Sequence, residues 1–234
     1  MEKRIIELEK QVKALQALQD AEEIKKLQRA YGFYLEHWMG PEVIDCFADS
    51  PDCVLSLYEG TWLGKEGIER YFDRDRRVSP EFLHQVMQLS PIVDVAPDGQ
   101  TAKGRWYSYG CTAVPMGEGM KQSYMGGIYE CEYIKQDGKW KILKLAYSLS
   151  LSYPPEKGWV RKKRLEAADM SQQQGTDHSP PDIPPGGMDS MYPSGYILPM
   201  HFKHPVTGKE TSEAERNAAL PYVPTYFERM REKK

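Results

Sequence analysis

A chain of 234 residues with 40% hydrophobic and 28% charged side chains holds enough apolar material for one sizeable core plus an appendage. A net charge of −3 and a pI near 6.0 supply no basic field for nucleic acid, and no window approaches the roughly 20 apolar residues of a membrane helix. The opening MEKRIIELEKQ lacks a continuous apolar region and a small-residue cleavage site. Cys46, Cys53, Cys111 and Cys131 show no CxxC spacing, so reduced thiols, no zinc site and a cytoplasmic location are expected.

From Glu2 to Leu18 the apolar residues Ile5, Leu8, Val12 and Leu15 recur at spacings of three and four, the a/d pattern of a short coiled-coil helix. This predicts either an arm for subunit association or a helix lying on its own domain. Asp20 followed by Glu23 reads as a capping box that starts a second helix, with Ile24, Leu27, Tyr31, Tyr34, Leu35 and Trp38 on one side. Its end, QRAYGFYLEHW before Gly40-Pro41, sets Tyr31 and Glu36 near the mouth of whatever the helix covers. Pro41 then opens a short helix burying Val43, Ile44 and Phe47.

CVLSLY (Cys53 to Tyr58) and TWL (Thr61 to Leu63), joined by Glu59-Gly60, read as a hairpin, and Lys65 to Asp75 as a third helix through Ile68, Tyr71 and Phe72. Four long runs follow: His84 to Val95, Thr101 to Val114, Lys121 to Gln136 and Trp140 to Tyr153, with Pro97-Asp98-Gly99 and Asp137-Gly138 as turns. Helices first and strands last is an α+β pattern, with helices packed on a curved antiparallel sheet. The expected division is an arm at 1–19, a cone-shaped domain at 20–153 and a proline-rich extension at 154–234. That extension carries Tyr196, Leu198, Phe202 and other apolar groups without a core of their own, so it should pack on this or a neighbouring subunit.

The segments RAYGFYLE, CFAD, GKEGIERYF, MQLSPIVDVAPDGQTAKGRW and YECEYIKQDGKWKILKL resemble the SnoaL-like branch of the nuclear transport factor 2-like superfamily over about Glu22 to Tyr153. The resemblance implies a cone enclosing an apolar pocket. It also implies kinship with cofactor-free lyases such as scytalone dehydratase and the bile-acid dehydratase, which place a tyrosine and an acid on the first core helix and a histidine on the first long strand. Tyr31, Glu36 and His84 fall near those positions, His84 offset by about two residues. The tail ending YILPMHFKHPVTG resembles the longer lyases that release formaldehyde from lignin-derived diaryl compounds. By that likeness Tyr58, Arg77 and Arg105 take the places of a tyrosine and two arginines. The lysine of the third long strand and the histidine of the last have no counterpart here.

The residues themselves add physical reasons. A carboxyl beside Tyr31 among aromatic walls would be desolvated and made a better base, and a histidine needs little tuning to move protons near neutral pH. Arg105 alternates with Tyr107 and Tyr109 on one strand face and Trp106 takes the other. A buried arginine would hold an oxyanion; an exposed one would pair with Glu130 or Glu132. Arg74, Arg76 and Arg77 otherwise read as a solvated helix end. Met87, Met116, Met120 and Met125 suit either an adaptable pocket or core filling. His201 and His204 have no acidic or cysteine partner nearby in sequence, so no metal is expected.

The expectation is thus a cofactor-independent lyase, a dehydratase or a deformylating C–C lyase, acting on an aromatic or polycyclic hydroxylated small molecule. Tyr31, Glu36, Tyr58, His84 and Arg105 are its expected catalytic groups, and Arg77, Trp62, Tyr107 and Met125 its expected substrate contacts. A non-catalytic binding or assembly protein, or an isomerase or cyclase, could use the same pocket. The arm, the tail and the lyase resemblance together suggest a homotrimer.

Overall fold

The computed structural model describes residues 1–73, 81–158, 179–184 and 196–220. It opens with one uninterrupted helix, α1 (Glu2–Glu36), where two helices were expected. No glycine or proline interrupts the chain before Gly32, and the run of Glu, Lys, Gln, Ala and Leu has high helix propensity. Asp20 is therefore no cap. It sits mid-helix at 1% exposure, where its carboxylate accepts hydrogen bonds from Lys135 Nζ at 2.6 Å and Trp140 Nε1 at 2.9 Å.

After α1, α2 (Gly40–Asp45) and α3 (Gly64–Phe72) flank the hairpin β1 (Val54–Leu57) and β2 (Gly60–Leu63). The long strands are β3 (Leu83–Val95), β4 (Thr101–Met116), β5 (Gly119–Gln136) and β6 (Lys139–Tyr153), and α4 (Glu213–Ala218) lies near the end. Asp137 and Gly138, both at positive φ, make the β5–β6 turn, as two-residue hairpin geometry requires.

The six strands run in the order β2-β1-β6-β5-β4-β3, so the sheet is open, with β2 and β3 at its edges. β3, β4, β5 and β6 pair antiparallel with one another, but β1 joins β6 in parallel. The sheet is mixed, not antiparallel throughout, because the hairpin returns to β6 only after the whole β3–β5 excursion. Irregularities between Leu89 and Ile92, at Gly126/Gly127 and at Glu132/Tyr133 help bend it.

Alternation along β4 sorts its faces. Ala102, Gly104, Trp106, Ser108, Gly110 and Thr112 are buried and share one face; the register adds Gln88, Val86 and His84 from β3 and Tyr133, Tyr129 and Met125 from β5. This inner face meets the helices in one core that includes Ile24, Tyr31, Phe47, Ile68, Trp106, Tyr129 and Leu145. Two segments of the extension pack on their own chain: Ile183 bridges Thr61 on the β2 edge, and Tyr196 and Leu198 cover Ile128 on the outer face. No helix among the described residues is long and apolar enough to cross a membrane.

Candidate active site

The second half of α1 runs across the inner face of the sheet. At its middle, neutral polar groups form a sealed chain: Trp106 Nε1 donates to Tyr133 Oη at 3.0 Å, Tyr133 donates to Gln28 Oε1 at 2.8 Å, and Gln28 Nε2 donates to Gln88 Oε1 at 3.1 Å. Gln88 also hydrogen-bonds Tyr129. Each member is satisfied, which lets polar side chains sit in an apolar core. Gly32 and Gly104 admit this packing, since a Cβ would lie 3.1 Å from Gln88 Cγ and 3.0 Å from Tyr133 Cε2 respectively.

Just past the helix end, the chain supplies an aromatic cluster. Trp38 adopts a positive φ of 51°, a strained conformation for a bulky residue. That conformation turns the indole onto Tyr71, Phe72 and His84, with centroids 6.1, 5.9 and 6.2 Å away. Tyr71 lies 4.4 Å from the Trp62 ring. Across the floor, Tyr129 and Tyr147 stack at 4.5 Å, and Ser108 Oγ donates to the Tyr147 hydroxyl at 3.0 Å. Gly127 makes room, because a Cβ there would stand 2.8 Å from Tyr147 Cε2 and 2.3 Å from the Ser148 carbonyl.

The β1–β2 turn brings an acid to the same wall. Tyr71 Oη donates to Glu59 Oε2 at 3.3 Å, and Tyr58 is hydrogen-bonded to the same carboxylate. Burial, then the Glu59 charge and the neighbouring Tyr71 and Tyr147, push the Tyr58 hydroxyl well above its usual range. Burial does the same for Tyr31 and Tyr129. These phenols stay protonated and can donate hydrogen bonds at any ordinary pH.

The expected residues divide. Tyr31, Tyr58, Trp62, His84 and Met125 all belong to the inner side. Trp62 is fully buried and Tyr31 nearly so, at 2% exposure, edge-on to Phe47 at 6.1 Å, while His84 is half-buried on the β3 edge beside Trp38. Glu36 is not beside Tyr31. Five residues along a helix turn about 140° away, and Glu36 is half-exposed, accepting from Gln85 Nε2 at 3.5 Å on the opposite side of β3 from His84.

Arg105 and Tyr107 lie on the outer face, opposite Trp106. Arg105 is ion-paired to Glu130 and donates to the carbonyls of Leu198 and Pro199, each at 3.1 Å. Tyr107 is 60% exposed. Of the two alternatives for Arg105 the pair with Glu130 holds, and neither Arg105 nor Tyr107 reaches the inner side, because fully buried Trp106 and small Gly104, Ser108 and Gly110 claim it. Met87 and Met120 are exposed as well, and Arg77 lies outside the described residues.

Sequence reasoning missed Glu59, Tyr71, Tyr129 and Tyr147. The alternation of Met125, Gly127, Tyr129, Cys131 and Tyr133 on β5 was the available signal for one of them; Glu59 was taken only as a turn residue. His201 found carboxylates that sequence distance hid: its Nδ1 lies 3.1 Å from Glu130 and its Nε2 3.3 Å from Asp94. Among the described residues, no group of three or more His, Cys, Asp or Glu side chains is placed to hold a metal ion.

The fold has solved counterparts. A candidate scytalone dehydratase from Novosphingobium aromaticivorans aligns at 15% identity and a TM-score of 0.50, covering 65% of this chain and 99% of that one. The structure of LinA aligns at 16% identity and a TM-score of 0.51, covering 64% and 99%. A type 2 LinA, a hexachlorocyclohexane dehydrochlorinase, aligns at 17% identity and a TM-score of 0.49, covering 65% and 99%. At these identities the first two likenesses establish the fold alone. No curated protein matches the sequence. Residues 16–146, more than half of the chain, match the SnoaL-like domain, and with the α+β architecture described above the protein belongs to that family.

Proposed function

We propose that the protein is a cofactor-independent acid/base lyase acting on an aromatic or polycyclic hydroxylated small molecule, as a dehydratase or a deformylating C–C lyase. The observation that carries this reading is the shared carboxylate: Glu59 accepts from Tyr71 and Tyr58 inside an aromatic wall, which pairs a proton acceptor with proton donors. Trp38, Trp62 and Tyr71 would stack on a flat ring. Tyr58 would protonate or polarise the departing oxygen or a carbonyl, and His84 or Glu59 would take the proton from the neighbouring carbon or hydroxyl. Tyr31 and the Tyr129–Tyr147 stack would hold the floor, with Met125 filling the space above it. Glu36, at the helix end, is a relay to solvent in this reading. The SnoaL-like membership supports the class, and the related candidate scytalone dehydratase and LinA lend their chemistry only as analogy.

The test is a panel of hydroxylated mono- and diaryl alcohols, read by loss of water and by release of formaldehyde. Turnover of one member that falls about 10²-fold in His84→Ala and in Tyr58→Phe would support the assignment. Unchanged turnover in both variants would sink it. Binding across the panel without any product favours a second reading, a non-catalytic binding protein. One observation speaks for that reading: Arg105 lies on the outer face, and the inner side is poor in cations among the described residues. An isomerase or cyclase would give a product of unchanged mass.

The assembly we propose is a homotrimer, in the cytoplasm, where the free thiols of Cys46, Cys53, Cys111 and Cys131 stay reduced. A monomer at micromolar concentration would overturn the trimer.

A further inference from the structure

Residues 2–19 of α1 project from the domain as about 27 Å of helix, with every side chain exposed until Asp20 reaches the sheet. Ile5, Leu8, Val12 and Leu15 are each at least 50% exposed, so the arm presents one apolar strip with nothing of its own chain against it. The anchored half of α1 removes the cost of nucleating this helix. Such a strip needs a cover, and its flanking charges specify which.

We propose that the arm packs against the same arm of other copies of this chain as a parallel, in-register coiled coil. With Ile5 and Val12 at the a positions and Leu8 and Leu15 at d, Arg4 stands at g and Glu9 at e. In a parallel pair each g side chain meets the e side chain five residues further along the second copy. Arg4 then faces Glu9, and Gln11 faces Gln16, one opposite-charge pair and one amide pair on each side of the seam. An antiparallel pair would oppose like positions instead. Glu9 would meet Glu9, and Arg4 would meet Leu18.

Charge therefore selects the parallel register over its reverse. Parallel arms need a rotation axis running along them, a cyclic arrangement that two or three copies satisfy equally. Isolated seams with β-branched residues at a and leucine at d favour two strands. A trimer would accordingly be dictated by the cone domains, while the register is a property of the arm and does not rest on the trimer.

The experiment uses the full-length chain with Leu8→Cys, an exposed position whose change leaves the cone untouched, and Lys10→Cys on the far side of the helix as control. Under mild oxidation Leu8→Cys should form an interchain disulfide at least ten times faster than Lys10→Cys, with the unsubstituted chain as the blank for its native thiols. Equal rates overturn the proposal, as does cross-linking that appears only when Leu8→Cys is mixed with Val12→Cys, the antiparallel signature. A second measurement reads the charges. Arg4→Glu should weaken association several-fold at low salt, and Arg4→Glu combined with Glu9→Arg should restore it; failure of the double variant to recover overturns the register. The mass of the unsubstituted assembly is read separately. Two copies with the Leu8 cross-link intact overturns the trimer and upholds the parallel arm, whereas a monomer overturns both.

Discussion

The two faces of β4 carry opposite solutions to burying polar groups. On the inner face Trp106, Tyr133, Gln28 and Gln88 are joined by neutral hydrogen bonds under the helix. On the outer face Arg105 is ion-paired to Glu130, and His201 of the extension sits between the carboxylates of Glu130 and Asp94. A neutral chain leaves the inner face dry enough for stacked aromatics and protonated phenols. Ionic contacts nearer solvent are screened by water and salt, and suit a clasp on a segment that need only stay in place.

The sharpest way to break this contrast is by activity. Replacing His84 by Ala, Tyr58 by Phe or Glu59 by Gln should each lower kcat about 10²-fold, whereas Arg105→Gln, on the other face, should leave kcat within about threefold. A 10²-fold loss from Arg105→Gln would erase the functional distinction between the faces.

Stability should divide them next. Asp20→Ala leaves Lys135 and Trp140 without their acceptor and should cost about 3 kcal/mol in urea unfolding. Burial alone would raise the Asp20 carboxyl, but hydrogen bonds from Lys135 and Trp140 and the lysine charge together hold it below its ordinary value. A depressed carboxyl stabilises the fold above its unfolded pKa near 3.8 and loses that contribution as pH falls through the folded value. Acid unfolding of Asp20→Asn should accordingly lose part of its steepness below that pH. Gln28→Leu, which strands Tyr133 and Gln88, should cost about 2 kcal/mol. Neither loss should change with salt as much as loosening of the extension does.

At alkaline pH the sign reverses. Burial pushes the Cys46 thiol from 9.0 up to about 11, so its contribution is complete below 9 and disappears as pH rises through 11. Cys46→Ala should flatten that part of the stability curve. The smallest effect belongs to the clasp at the β2 edge, where Asp182 accepts from Leu63 N at 2.8 Å and Arg70 at 2.6 Å. Asp182→Ala should cost about 1 kcal/mol and raise proteolytic cleavage of the extension.

The four long strands and their hairpin turns were readable because each run ends in a turn with its own chemistry, as at Asp137-Gly138, whereas the parallel pairing of β1 with β6 has no local signal. Alternation does not say which face is inside. For β4 the answer lay in volume, with Trp106 flanked by Gly104 and Ser108, whereas the company of two tyrosines left Arg105 open between an inward oxyanion role and an outward pair with Glu130. Asp20 misled for a related reason: a capping pattern is local, and the acceptor's true donors stand 115 and 120 residues away in sequence. Glu59 was hidden because its value depends on Tyr71, brought to it by α3. Family resemblance points to Tyr58 and His84 as candidates but does not supply the carboxylate between Tyr58 and Tyr71.

The parallel seam between β1 and β6 has a kinetic consequence. β3 to β6 can zip as successive hairpins, each contact close in sequence, but Val54 must find Lys144 ninety residues later. Closing that loop carries a chain-entropy cost with little local reward until the hairpin docks. Tyr58, Glu59 and Trp62 ride on this late-arriving hairpin, so a refolding chain should regain its sheet before its aromatic wall. Stopped-flow refolding would then show strand circular dichroism returning ahead of tryptophan fluorescence, with ligand binding recovered in the slower phase.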